Sequence, residues 1–104
     1  MVVYKKAIRD KIPEIIRDSG YSCNIKKLED AEFLKELDKK LDEEIAEYKE
    51  NGTVEELVDV IEIIQRISEL RGVSAKHFQG IRDDKVKKRG AFKENLFLID
   101  TSKD

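Results

Sequence analysis

The stretch Leu41 to Glu62, LDEEIAEYKENGTVEELVDVIE, holds two acidic clusters, Glu43-Glu44-x-x-Glu47 and Glu56-x-x-Asp59. Carboxylates three residues apart share one face of a helix, with Cβ atoms roughly 5–6 Å from each other. Between the clusters lies Asn51-Gly52-Thr53. Glycine is a natural stop for a preceding helix and threonine a natural N-cap for the next. A break this short joins antiparallel neighbours, which would bring the clusters within reach of each other. Glu44, Glu47, Glu56 and Asp59 would then form a hard, all-oxygen site of the kind that suits Mg²⁺ or Mn²⁺.

The flanking apolar residues say where these acids sit. At about 100° per residue, Leu34, Leu37, Leu41, Ile45 and Tyr48 make one stripe. Glu44 falls on its margin near Leu37, and Glu47 lies next outward. On the second helix Leu57, Val60, Ile61, Ile63, Ile64, Ile67 and Leu70 cover a wide arc. Glu56 projects inside that arc and Asp59 stands at its edge. A carboxylate turned toward a core is costly unless a cation or hydrogen bonds compensate it. Plainer readings stand beside this one. Thr53-x-x-Glu56 also fits a capping box, in which Glu56 bonds back to the Thr53 amide. Glu43, Glu47 and Lys49 also fit a solvated helix face, since charged residues make up 42% of the chain.

The totals bound the class. A chain of 104 residues is a single domain with one modest core. An apolar fraction of 39%, with no Trp, is low for a monomer and points to burial between subunits. The formal charge of −2 argues against non-specific nucleic-acid binding. Cys23 is the one cysteine, so no internal disulfide forms, which fits a reducing cytoplasm. No apolar run suits a membrane span, and MVVYKKAIRDK lacks a signal peptide's apolar region. The expectation is a cytoplasmic homodimer or homotetramer.

The elements follow from local signals. Pro13 suits the first turn of a short helix through Asp18, stopping near Gly20. Tyr21, Cys23 and Ile25 alternate with polar residues and predict a short strand to about Leu28. Asp30 is the expected N-cap of a long helix from Ala31 to about Glu50. A second long helix runs from Val54 to about Arg71, ending at Gly72. Ser74 caps a third, Ala75 to about Arg89, ended by Gly90. Asn95-Leu96-Phe97-Leu98-Ile99 predicts another strand, paired with the one near Cys23. The residues from Thr101 to Asp104 are polar and expected to fray. The expected fold is all-α, an antiparallel helical bundle with short terminal β-strands.

Basic residues gather at two places, Arg9-Asp10-Lys11 and Lys85-x-x-Lys88-Arg89-Gly90-Ala91-Phe92. Arg and Lys can hold the phosphates of an anionic ligand, Arg in a bidentate way. The second cluster equally fits bases complementing the dipole at a helix C-terminus. Phe92 could stack on a base or pack in the core. Acids for Mg²⁺ and bases for phosphate are the two halves of a triphosphate site. Elsewhere the chain offers little: His77 has no nucleophilic partner set, Cys23 reads as packing, and no Walker loop or GxGxxG occurs.

In this order the motifs resemble the all-α nucleoside triphosphate pyrophosphohydrolases, the MazG-like superfamily that includes phosphoribosyl-ATP pyrophosphohydrolase. That superfamily carries an ExxE pair followed by an ExxD pair. Here they match Glu44-x-x-Glu47 and Glu56-x-x-Asp59. The opening from Tyr4 to Ile16 resembles the "LVRDKIPEII" start of a small subgroup, and Lys88-Arg89-Gly90-Ala91-Phe92 resembles its "KRGGF". Ala91 stands where that pattern has its second glycine, and the linker between the acidic pairs is short. The resemblance implies Mg²⁺-dependent hydrolysis between the α and β phosphates, giving a monophosphate and pyrophosphate. Glu44, Glu47, Glu56 and Asp59 would hold the metal, and a water would attack. Glu43, as base or as an acid behind the ligands, and Glu44 would be the catalytic acids, with Glu62 a further acid behind the ligands. Arg9, Lys11, Lys88 and Arg89 would grip the polyphosphate, in part from a neighbouring subunit. Two alternatives remain: a phosphoribosyl-ATP substrate, or a non-catalytic helical oligomer that binds a partner through its apolar faces.

Overall fold

A computed structural model describes residues 1–103. Four helices follow one another: α1 (Ile12–Asp18), α2 (Asp30–Asn51), α3 (Val54–Leu70) and α4 (Ala75–Arg89). Pro13 lies in the first turn of α1, where its missing amide costs nothing. Gly52 closes α2 in the left-handed conformation at φ 70°, which spares the chain a Cβ penalty, and its amide bonds the Tyr48 carbonyl. The hydroxyl of Ser74 accepts from the His77 amide and caps α4, as its position before an unbroken helical pattern requires. Ahead of that cap, the Ser68 hydroxyl donates to the Val73 carbonyl, so the polar group buried at the end of α3 is satisfied within the turn.

The centre of the fold is the α2–α3 hairpin. Leu37 and Ile63 are buried, and Phe33, Leu41, Ile67 and Leu70 pack around them. Leu37 near the start of α2 thus meets residues in the second half of α3, the descending register of antiparallel helices. The third buried apolar residue is Ala7, from the segment before α1. The N-terminal arm is therefore pinned to the hairpin core. Helix α4 packs only lightly on α3.

Several expectations change. No strand occurs among the described residues, so Tyr21–Leu28 and Asn95–Ile99 are not paired. The reason is packing: Tyr21, Ile25, Leu96, Phe97, Leu98 and Ile99 are all exposed, so neither stretch has a buried face to repay pairing across so long a loop. Helix α2 begins one residue earlier than expected, with Glu29 and not Asp30 at the N-cap. Helix α3 stops at Leu70, with Arg71 as its C-cap. Phe92 is fully exposed and does not join the core. Thr101 to Lys103 have no regular structure, and Asp104 lies outside the described residues. No helix among the described residues is long and apolar enough to cross a membrane.

Candidate metal centre

The register that joins Leu37 to Ile63 also sets Glu44 of α2 against Asp59 of α3. Glu44 is half-buried at the margin of the stripe, where its position predicts it. One of its carboxylate oxygens, Oε2, is buried without a hydrogen-bond partner. Burial is the main reason its pKa lies above the usual carboxylate value. The negative charges of Glu47 and Asp59 push it further up, as does a hydrogen bond with Glu47, while Lys40 pulls it back. A carboxylate that is desolvated, crowded by two like charges and short of one partner is a strong acceptor for a cation.

Asp59 and Glu56 are held by other partners. Arg9 donates from Nη2 to Oδ1 of Asp59 at 2.6 Å, across 50 residues of sequence. Glu56 receives two hydrogen bonds, from the Thr53 hydroxyl at 2.6 Å and from the Asn51 side-chain amide at 3.3 Å. Thr53 thus spends its hydroxyl on the Glu56 carboxylate, and no side-chain cap bond forms at the start of α3. The reciprocal capping box is replaced by a bracket that holds Glu56 over the turn. Among the described residues no three acids, histidines or cysteines converge on a single metal position.

A metal fits this donor set chemically. All donors are carboxylate oxygens, and the orphaned Oε2 of Glu44 is the atom a divalent ion would satisfy. Convergence would require Arg9 to leave Asp59 and Glu56 to turn from its bracket. Both moves break solvent-exposed contacts, of a kind worth about 0–1 kcal/mol each.

Of the remaining sequence-derived residues, Glu43 and Glu62 are exposed and, among the described residues, form no ion pair or side-chain hydrogen bond. Lys11 is the N-cap of α1, also exposed. Lys88 lies 3.6 Å from Asp84 one turn back on α4. Arg89 borders an open concavity of about 410 Å³ with Gly90, Phe92 and Leu96. Among the described residues neither Lys88 nor Arg89 pairs with any of the four acids, so within one chain the two halves of the site are not joined. Cys23 is a half-buried free thiol. Sequence reasoning missed two members of the cluster. Lys40 carried a signal, since it stands four residues before Glu44 on the same helix face. Asn51 carried a weaker one: a side-chain amide beside the break, five residues before Glu56.

The raised Glu44 pKa gives a signed expectation. A fold that holds the proton more tightly than the unfolded chain is stabilised while Glu44 is protonated. That contribution is lost as pH climbs from the ordinary carboxylate value through the raised one. In chelator, Glu44→Gln should therefore melt higher than the parent at pH 7, with the two melting curves converging at acid pH. A difference that is constant with pH, or a variant that melts lower at neutral pH, would contradict the assignment.

No family model and no solved structure matches the chain. A segment is 50% identical over 46 residues to an uncharacterized protein of Mycolicibacterium smegmatis (strain ATCC 700084 / mc(2)155). The match covers 44% of this chain and 47% of that relative, so it spans about half the length of the curated relative.

Proposed function

We propose that this chain is an Mg²⁺-dependent nucleoside triphosphate pyrophosphohydrolase, as the resemblance to the MazG-like superfamily implies. One observation carries the reading: the unpartnered, buried Oε2 of Glu44, set beside Glu47 and across from Asp59 on the facing helix. Glu44, Glu47, Asp59 and, once released, Glu56 would hold the ion. When bound, it would draw charge from phosphate oxygens as a leaving group departs. The chain's own residues would do the rest. Glu43 or Glu44 would assist by taking up a proton from an attacking water. Arg9 and Lys11 would reach the polyphosphate from the N-terminal arm, and Lys88 and Arg89 from the end of α4. Arg89→Ala should chiefly raise KM for the nucleotide. No change in either kinetic constant would return Arg89 to complementing the helix dipole.

The quantity of exposed surface supports an oligomer. The chain exposes 9887 Å², whereas a compact monomer of its 12.1 kDa exposes about 6,000 Å². Its radius of gyration is 18.5 Å, against about 13 Å for a compact chain of this length. Much of the excess is apolar. Val54, Leu57, Val58 and Ile61 form an uncovered face of α3, and Leu96 to Ile99 form an uncovered tail. An obligate dimer interface removes on the order of 2,000–5,000 Å² in total, about half of it from each chain, so a second copy accounts for part of this excess. Such a copy would also offer a route for Lys88 and Arg89 to a neighbour's acids. A purely structural oligomer would share these faces, and Mg²⁺ separates the two readings. A metal bound only by the folded state raises Tm with concentration. The proposal requires that rise in the parent protein, and its absence at millimolar Mg²⁺ would leave only the partner-binding oligomer.

A further inference from the structure

The N-terminal arm reaches the acidic cluster in a way no local motif announces. Ala7 is buried against Leu37 and Ile63, so the backbone two residues before Arg9 is fixed to the hairpin. From that anchor the Arg9 guanidinium sits on Asp59 Oδ1 at 2.6 Å. It is the only cationic side chain of the described residues in ion-pair contact with any of the four acids. Both partners remain about half exposed, with side-chain accessibilities of 52% and 42%. The contact is short, tethered and cheap to break.

We infer that Arg9 is an internal counter-ion that occupies Asp59 until a divalent cation replaces it. The inference rests on the metal-site reading above and adds an order of events to it. Without metal, the guanidinium neutralises the α3 side of the cluster and leaves Glu44 as the unsatisfied acid. A divalent ion needs the same Asp59 oxygen, so entry of the ion expels the guanidinium. Because Ala7 still holds the arm, the freed Arg9 stays beside the cluster with its donors open to a phosphate. A triphosphate would then meet a bound metal and an available arginine together. In metal-free protein it would meet no ion and an arginine still engaged with Asp59. Arg9 is thus a positioning residue for both ligands, competing with one and receiving the other.

The test compares the parent with Arg9→Ala by Mg²⁺ titration calorimetry and by melting, at constant ionic strength and without nucleotide. Removing the competitor should tighten Mg²⁺ binding by about two- to fivefold, the range an exposed ion pair can supply. The variant should melt lower than the parent in chelator, and the gap should close at saturating Mg²⁺, where Arg9 has already left Asp59. A gap of the same size with and without Mg²⁺ would make Arg9 a structural brace and overturn the exchange. Weaker Mg²⁺ binding in the variant would make Arg9 a support for the ligands and also overturn it. A parent protein that binds no Mg²⁺ fails in a distinguishable way, since the metal-site reading itself then falls and the exchange falls with it.

Discussion

Glu44→Gln should reduce Mg²⁺-dependent pyrophosphate release by at least about a hundredfold while leaving the helices intact. The size follows from the role. Partners that merely orient a metal ligand already contribute about 10–100-fold, and the ligand itself must contribute more. The substitution removes the charge an ion would need but keeps the shape and a hydrogen-bonding partner for Glu47. Loss of turnover should thus accompany higher metal-free stability at pH 7, because the relief of crowding by Glu47 and Asp59 comes with it. That combination is diagnostic. A variant that is inactive because it is unfolded would lose helical signal, and one that is fully active would remove Glu44 from the site. Asp59→Asn should match it in turnover, but not in metal-free stability, since it also gives up the contact with Arg9.

If the proposed oligomer forms through α3, Ile61→Asp should convert it to a monomer and lower Tm by about 10 °C or more. Within a single chain Ile61 is 59% exposed, and a surface substitution of that kind changes stability by only about 0.5 kcal/mol. If a second copy covers α3, the same change buries an unpaired carboxylate. The cost is then about 3–5 kcal/mol, at roughly 4 °C or more per kcal/mol for a chain of this size. The environment of one residue therefore decides between a negligible effect and a large one. Sedimentation and melting over a range of protein concentrations read both consequences. A parent that sediments as a monomer, or a variant indistinguishable from it, would mean that the α3 face does not meet a second copy.

The helices and their ends were legible because local chemistry sets them. Pro13, Gly52 and Ser74 mark the boundaries that the backbone adopts. The stripe through Leu37 and Leu41 and the arc through Ile63, Ile67 and Leu70 placed the core and, with it, Glu44 at the margin. The strands were misread for a related reason. Alternation at Tyr21–Ile25 and the apolar run at Leu96–Ile99 describe what a strand needs, yet they do not supply a surface to cover it. Within the site, the proximity of Glu44 to Asp59 follows from helical register. The hold of Arg9 on Asp59 does not, since it depends on Ala7 docking in the core, and an alanine in a charged opening carries no pattern to reveal that. Glu56 was ambiguous between cap and ligand for a sound reason. Its carboxylate is bracketed by Asn51 and Thr53, a third arrangement built from the same residues.

The central claim is that the acids of α2 and α3 serve cleavage between the α and β phosphates. Its most direct test is product identity after incubation of the purified protein with Mg²⁺ and a panel of ribo-, deoxyribo- and modified nucleoside triphosphates. The account predicts, for at least one nucleotide, monophosphate and pyrophosphate in equal amounts, abolished by chelator and by Glu44→Gln. Orthophosphate and diphosphate as the products, or no pyrophosphate from any member of the panel, would contradict it.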